Sequence, residues 1–199
     1  MSEEEEKSIK ITLLGNPGVG KTEIISRYID NIFDEECPSC IGANYSEKTI
    51  KRGNKEYNLN IWDSAGQEKF HSLGKHYYMN SDIVCLVYDI TNQESLDSLK
   101  SFWYPDLQKY GKKNIILGVV GNKSHLYECD NLADEEQAKS FAKEINAFFI
   151  LVSAENGDGI DKLFDTLVDK YLSAEFRKPE HGFSLEKVNY KRKKKIPCF

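Results

Sequence analysis

The segment GNPGVGKT, residues 15–22, has the composition and spacing of a phosphate-binding loop. It fits the pattern G-x-x-x-x-G-K-[ST], in which glycines let the backbone curl so that its N–H groups point at phosphate oxygens. Lys21 adds a positive charge to such a loop, and the Thr22 hydroxyl is offered to Mg²⁺. The sequence therefore predicts a phosphate site built from Gly15, Asn16, Pro17, Gly18, Val19, Gly20, Lys21 and Thr22.

The segment WDSAGQEKF, residues 62–70, carries three groups suited to a terminal phosphate. Asp63 can hold Mg²⁺ through a water, Gly66 can donate a bare N–H, and Gln67 can orient an attacking water. Alone, the segment would be an ordinary turn with an exposed glutamine. Beside a phosphate loop, it predicts hydrolysis with Gln67 as the catalytic residue.

Two further segments, Gly121-Asn122-Lys123 and Ser153-Ala154-Glu155, each follow an apolar run. An asparagine and a lysine at the mouth of a strand can frame a flat ring. Because ligands of parallel sheets bind at the carboxyl ends of the strands, we expect both segments to face the ligand of the phosphate loop.

The elements that must position these segments alternate along the chain. Continuous apolar runs predict buried strands, alternation with period two predicts a hairpin, and amphipathic runs predict helices. The predicted strands are residues 9–15, 45–51, 57–63, 82–90, 114–122 and 147–153. The predicted helices are residues 21–33, 93–111, 133–146 and 159–176, with the second bent or broken at Pro105. This order indicates an α/β domain with a mostly parallel sheet.

Length and composition bound the rest of the interpretation. The 199 residues suit one domain, and the net charge of −5 argues against a nucleic-acid-binding protein. We expect an acidic, disordered N-terminus at 1–7, one domain at 8–174 and a flexible basic tail at 175–199. Cys37 and Cys40 lack a second pair to complete a zinc site, and no signal or transmembrane run is present, which predicts a cytoplasmic setting.

The motifs GNPGVGKT, WDSAGQE, GNK and SA, in this order and spacing, resemble those of Ras-superfamily small GTPases, and within them the Rab family. The segments IGANY and YYMNSDIVCLVYDIT are Rab-like, and FHSL is similar to the endosomal Rabs. The resemblance implies a P-loop NTPase small G domain, with a six-stranded, mostly parallel sheet, one antiparallel strand and five flanking helices. It also implies a GTP/GDP switch with Mg²⁺ that hydrolyses GTP to GDP and phosphate.

The resemblance assigns further residues by position. The guanine base is expected to contact Phe33, Asn122, Lys123, His125, Ser153 and Ala154. The aromatic triad that Rabs present to effectors matches Tyr45, Trp62 and Tyr77, although core packing would explain Tyr77 equally well. The implied partners are a guanine nucleotide, an exchange factor, a GTPase-activating protein and effector proteins, with the G domain itself monomeric.

The base-reading motif departs from the family pattern. The family has Asn-Lys-x-Asp, and this chain has Asn122-Lys123-Ser124-His125. The carboxylate accepts two N–H bonds from guanine, whereas a neutral histidine accepts one at most, so guanine binding should be weaker by roughly 2–4 kcal/mol. Guanine selectivity should fall as well, unless an acid from residues 128–130 takes over.

Three further departures concern the phosphates and the base loop. Cys40 replaces a threonine that binds Mg²⁺ in the family, and a thiol is a weak ligand for this ion, so the first switch should be looser. Ser39 could supply the hydroxyl only if the loop shifts. Pro17 removes one N–H where a helper protein's arginine would enter. Glu155 replaces a lysine and is expected to matter little.

The C-terminal segment NYKRKKKIPCF combines five basic residues with Cys198. A basic cluster near a lipidated cysteine forms a two-part membrane anchor. Cys198 is the penultimate residue, so the ending is not C-a-a-X. Prenylation of Cys198 and an unmodified basic tail are therefore both open. We expect a peripheral location on the cytosolic face of endomembranes.

Three functions remain open from the sequence. The first is a Rab-like switch in vesicle traffic with slow GTP hydrolysis. The second is a degenerate Rab-like module that holds nucleotide without cycling, for which His125 and Cys40 argue. A P-loop kinase of small molecules is disfavoured because the chain lacks an arginine-rich lid segment.

Overall fold

The computed structural model describes residues 7–34, 44–64, 78–129 and 131–176. The strands in these ranges are β1 (Lys7–Leu14), β2 (Asn44–Arg52), β3 (Lys55–Asp63), β4 (Ile83–Asp89), β5 (Ile116–Asn122) and β6 (Phe148–Leu151). The helices are α1 (Lys21–Asp30), α2 (Gln93–Ser98), α3 (Tyr104–Tyr110), α4 (Glu135–Glu144) and α5 (Ile160–Phe176). A π-helical turn, Leu99–Trp103, joins α2 to α3, and a short 3₁₀ turn, Ser124–Leu126, follows β5.

The six strands form one sheet in the order β2-β3-β1-β4-β5-β6. Only β2 runs antiparallel to its neighbour, and the other pairs are parallel, which confirms the predicted fold class. Every residue of β4 is buried, because helices cover both faces of the sheet centre. The carboxyl ends of β1, β3, β4, β5 and β6 therefore meet at one edge, where the predicted segments begin.

Two helices differ from their predicted bounds for local reasons. The first ends at Asp30 rather than at 33, because Asn31 adopts a left-handed conformation with φ 56° and its N–H bonds the Arg27 carbonyl oxygen at 3.1 Å. The α4 helix begins late because the Asp134 side chain caps it, accepting the Gln137 N–H at 2.9 Å.

The predicted helix over 93–111 is continuous to Tyr110 and is not broken at Pro105. Instead, the Tyr104 N–H bonds the carbonyl oxygen of Leu99, five residues earlier, in the turn that precedes the proline. Proline lacks an N–H and its ring crowds the carbonyl four residues before it, which disfavours a regular α-helix at that point. The π-helical turn takes up this local misfit.

The core has two halves, one on each face of the sheet. On one face α1 and α5 pack together, with the Tyr28 and Phe164 rings stacked at 3.8 Å. On the other face lie α2, the π turn, α3 and α4, which bury Leu96, Trp103 and Phe141. Arg52 connects the β2–β3 hairpin to α5 by salt bridges to Asp165 and to Asp169, the latter at 2.9 Å.

Counting 93–110 as one segment, the described residues contain four helical segments beside the sheet, where the resemblance implies five. None of the helices in these ranges has the length and apolar character needed to cross a bilayer. The tails predicted at 1–7 and 175–199 fall almost entirely outside the described residues and stay predictions.

Candidate functional site

The loop between β1 and α1 is packed so closely that glycine is required at two positions. A Cβ at Gly15, where φ is 151°, would lie 2.1 Å from the Val87 carbonyl oxygen. A Cβ at Gly20, where φ is 91°, would lie 2.0 Å from the side-chain nitrogen of Asn122. Both residues combine a positive φ with no room for a side chain, so the loop lies against the ends of β4 and β5.

Lys21 spans this loop from its position at the start of α1. Its Nζ donates to the carbonyl oxygens of Gly15, at 3.0 Å, and Asn16, at 2.9 Å. The side chain is only 6% exposed, so its charge is held inside the loop rather than in solvent. An ammonium in this position, at the N-terminus of a helix, favours a bound anion.

The next residue pairs with the end of β3. The Thr22 hydroxyl donates to Oδ2 of Asp63 at 2.5 Å, and the Asp63 side chain is 2% exposed. The Ser64 hydroxyl bonds the Leu13 carbonyl oxygen at 2.7 Å, which holds the segment after β3 against β1. A hydroxyl and a carboxylate are the hard oxygen donors that Mg²⁺ prefers, so this pair fits that ion.

A cavity of about 420 Å³ extends from the phosphate loop toward the ends of β5 and β6. This volume lies within the range of small-molecule and cofactor sites, roughly 300–1,000 Å³. The cavity is lined by Gly18, Gly20, Glu23, Phe33, Asp34, Asn122, Lys123, His125, Leu126, Ala154 and Glu155. Of the predicted base-binding residues, only the fully buried Ser153 is absent from this lining.

Asn122, at the end of β5, joins the two ends of the cavity. Its Nδ2 donates to the Val19 carbonyl oxygen at 3.0 Å, and its Oδ1 accepts the Ala154 N–H at 3.2 Å. The asparagine is 2% exposed, so its side chain is a structural link between the phosphate loop and the segment after β6.

Lys123 has a partner that the motif did not predict. Its Nζ lies 2.6 Å from Oδ2 of Asp89, the last residue of β4. The other carboxylate oxygen of Asp89 accepts the N–H and the hydroxyl of Thr91, at 2.8 and 2.7 Å. The lysine backbone has φ 68°, so the chain turns sharply here and leaves the lysine lining the cavity.

Both ring nitrogens of His125 have partners within the protein. Nδ1 lies 2.8 Å from the Ser153 hydroxyl, and Nε2 lies 2.9 Å from Oε2 of Glu155. From the sequence, His125 is expected to accept one bond from the base, and Glu155 is expected to matter little. In the structure, Glu155 contacts the residue at the departure itself and lines the same cavity.

Arg27 on α1 is a site residue that the sequence analysis missed. Its Nε donates to the Ala154 carbonyl oxygen at 2.8 Å, and its Nη2 donates to the Glu155 carbonyl oxygen at 2.5 Å. A third bond, from Nη1 to the Asn31 carbonyl oxygen at 3.0 Å, fixes the guanidinium at the end of α1. No local signal could have identified its contact with the site, because Ala154 and Glu155 lie 127 and 128 positions away in sequence.

Two members of the predicted effector triad lie side by side on the β2–β3 hairpin. Tyr45 and Trp62 are opposite one another in the strand register, with ring centroids 4.9 Å apart. Tyr45 is 45% exposed, and its hydrogen bond to Glu47 raises the pKa of its hydroxyl to about 12. The predicted residues Cys40, Gly66, Gln67, Tyr77 and Cys198 lie outside the described residues.

Comparisons with known proteins agree with this geometry. The family model described as Ras family matches residues 10–173. The chain is 39% identical over 158 residues to rat Ras-related protein Rab-31, covering 79% of this chain and 80% of the relative. It is 36% identical over 176 residues to dog Rab-22A, covering 88% and 90%, and 40% identical over 165 residues to bovine Rab-21, covering 83% and 73%. The chain therefore belongs to the Ras family and is a Rab-like small GTPase.

Proposed function

We propose that the chain binds GTP and GDP in the cavity of the candidate site and acts as a slow molecular switch in vesicle and membrane traffic. One observation carries the proposal most directly. The phosphate loop and the segments after β5 and β6 line one cavity of about 420 Å³, and the Thr22–Asp63 pair lies directly after the loop, at the start of α1. Each segment contributes a group of the type that one part of a guanine nucleotide requires.

The proposed roles follow the positions of these groups. Lys21 and the loop N–H groups hold the phosphates, and the cavity-lining Phe33 and Lys123 flank the base. Thr22 and Asp63 hold Mg²⁺, which offsets the charge of the phosphate oxygens when it is bound. Gln67 orients the water that attacks the terminal phosphorus, and GDP leaves as the terminal P–O bond breaks.

Slow hydrolysis is the second part of the proposal. Pro17 is exposed on the phosphate loop and has no N–H to offer a bound phosphate. Cys40 places a thiol where the family has a hard oxygen ligand for Mg²⁺. In the family pattern both positions lie beside the terminal phosphate, so we expect the two changes to slow the step in which that phosphate leaves.

The test has two measurements. First, the purified protein is extracted and its nucleotide is identified, and GDP or GTP is expected. Second, single-turnover GTP hydrolysis is compared for wild type, Gln67→Leu and the control Gln108→Leu, whose side chain is exposed on α3. We expect Gln67→Leu alone to lower the rate, by about 10-fold or more. An unchanged rate would remove Gln67 from the mechanism.

A degenerate module that holds nucleotide without cycling is the second candidate function. Glu23, in the first turn of α1, favours it because its carboxylate lines the cavity close to the phosphate loop. A negative charge there opposes a bound phosphate, most of all the more charged triphosphate. Single-turnover GTP hydrolysis at the background rate in both wild type and Gln67→Leu would favour this module over the switch.

Membrane attachment through the basic tail and Cys198 completes the proposal, with an exchange factor, a GTPase-activating protein and effectors as partners. The effectors would meet the surface around Tyr45 and Trp62. The fraction of protein recovered with membranes should fall for Cys198→Ser and stay unchanged for Cys129→Ser, which alters a cysteine exposed in the structure. Equal recovery of both variants would leave the basic residues as the only anchor.

A further inference from the structure

The base end of the cavity contains a carboxylate at a place where the motif has lost one. Guanine presents two neighbouring donors, N1–H and the 2-amino group, beside its O6 acceptor. A carboxylate accepts from both donors at once, and a histidine cannot. We propose that Glu155, held by His125, is the residue that reads this donor edge, and this inference rests on the proposed guanine-nucleotide function.

The hydrogen-bond network around His125 shows why the histidine itself is not the reader. The Glu155 carboxylate can only accept, so Nε2 of His125 carries the ring hydrogen and donates it to Oε2 at 2.9 Å. In the neutral ring Nδ1 then has no hydrogen, and it accepts the Ser153 hydroxyl hydrogen at 2.8 Å. A neutral histidine bound in this way has no lone pair left for an N–H of the base.

The backbone of Glu155 is fixed independently of its side chain. Arg27 donates to the carbonyl oxygens of Ala154 and Glu155, at 2.8 and 2.5 Å. The Ala154 N–H bonds Oδ1 of Asn122, the first residue of the base-reading motif, at 3.2 Å. The carboxylate therefore extends from a loop whose position is set by α1 and β5 together, and the histidine determines where it points.

Two other carboxylates line the cavity, one in α1 and one after it. Glu23 lies at the phosphate end, with Oε2 3.8 Å from the point that a Cβ on Gly20 would occupy. Asp34 follows Phe33 in the chain, four residues beyond the end of α1. Of the three, Glu155 is the one in contact with His125, the last position of that motif.

Exposure also fits a residue that awaits a ligand. The Glu155 side chain is 53% exposed and that of His125 is 20% exposed. Even a fully charged pair at such exposure stabilises a fold by only about 0–1 kcal/mol, so folding gives little reason for this contact. A bound base would cover the pair and strengthen the bonds that the carboxylate makes.

The test is the selectivity among purine nucleoside diphosphates that differ at the 2-position. GDP has a 2-amino group, IDP has hydrogen there, and XDP has a carbonyl oxygen. Dissociation constants are measured for wild type, Glu155→Gln and the control Glu128→Gln, which removes the same charge from an exposed residue outside the cavity lining. Wild type should bind GDP about 10-fold or more tightly than IDP.

Glu155→Gln should bring the affinities for GDP and IDP to within about threefold of one another and improve binding of XDP, because its amide can donate to a 2-carbonyl oxygen. His125→Ala should lower the GDP preference less, and His125→Gln should restore part of it, since the glutamine amide can donate to Glu155 as the ring nitrogen does.

The possible failures are distinct. If wild type binds neither GDP nor IDP, the proposed function is wrong. If wild type prefers GDP and Glu155→Gln keeps that preference, the inference is wrong while the proposed function stands. If Glu128→Gln loses the preference for GDP over IDP and Glu155→Gln keeps it, then Glu128 reads the donor edge and the inference is wrong.

Discussion

The phosphate end and the base end of the cavity are built in different ways. At the phosphate end, the carbonyl partners of Lys21 lie within six residues of it along the chain. At the base end, Asn122, His125, Arg27 and Glu155 come from segments separated by up to 128 positions. The first end is local and carries the glycines that its motif requires, whereas the second is assembled by the fold and departs from its motif.

This difference shows where substitutions can be absorbed. Where this local loop is packed against the sheet, at Gly15 and Gly20, it has no space for a side chain. An end assembled from several loops can replace one donor or acceptor by another that comes from a different segment. His125 and Glu155 are, in our proposal, such a replacement.

The largest effect is expected from removing the charge of the phosphate end. Lys21→Met should weaken GDP binding by about 100-fold or more, because a buried cation that meets phosphate through charge-assisted bonds is lost. Titration with GDP measures it, with Lys143→Met on the exposed side of α4 as the control. A loss below about 10-fold would show that the local loop does not dominate the affinity.

A smaller effect is expected at the base end when its remote anchor is removed. Arg27→Met should weaken GDP binding by about 10-fold, since the Ala154 and Glu155 carbonyl groups lose their donors. The ratio of affinities for a GTP analogue and GDP should stay constant, because the phosphates are not involved. Arg52→Met is the matched control, as it breaks ion pairs to Asp165 and Asp169 away from the cavity.

A change in the GTP-analogue ratio of Arg27→Met would show that the two ends are coupled rather than independent. An equal loss of GDP affinity in Arg52→Met would show that the effect comes from the stability of the domain. Thermal unfolding of both variants without nucleotide separates these outcomes.

Restoring the family's threonine at Cys40 should raise the affinity for a GTP analogue by a smaller factor. Cys40→Thr should tighten Mg²⁺-dependent binding of a non-hydrolysable GTP analogue by about three- to tenfold and leave GDP binding nearly unchanged. The reason is that the family's threonine at this position meets the metal only when the terminal phosphate is present. Titration with and without Mg²⁺ measures the change, and the neighbouring Ser39→Thr serves as the control.

If Cys40→Thr binds the analogue no better than wild type, another ligand already serves at that position. Hydrogen exchange over residues 34–44 in the GDP and analogue forms would then show equal protection in wild type and variant. That result would remove the main argument for a loose first switch.

The smallest effect concerns Asn16, the side chain that links the phosphate loop to α2 and the π-helical turn. Asn16 donates to the Ser98 hydroxyl at 3.0 Å and accepts the Trp103 indole N–H at 2.8 Å. Asn16→Ala should lower the free energy of unfolding by about 1 kcal/mol, since the buried indole N–H loses its acceptor. Urea unfolding measures it, and Asn114→Ala at an exposed position should leave the value unchanged.

The sequence predicted the strands, and a tight glycine-rich loop between β1 and α1, because the signals of both are local. Continuous apolar runs identified β4 and β5, and the GNK motif correctly located Asn122 at the end of a strand. The same reasoning did not anticipate the contact between Glu155 and His125 and missed Arg27, because a hydrogen bond between distant segments leaves no periodicity in either. It also left the outcome at Pro105 open between a bend and a break.

The π-helical turn determines the directions in which the side chains after it point around the helix axis. In a regular α-helix, Ser98 and Trp103 would point about 140° apart, too far to share one partner. The bond from Tyr104 back to Leu99 makes five residues span roughly one turn, so both side chains reach Asn16. Deleting Phe102 would leave every motif of the chain intact and would turn the residues beyond it by about 100°. The count of residues in this segment, and not only their types, therefore keeps the indole beside the phosphate loop.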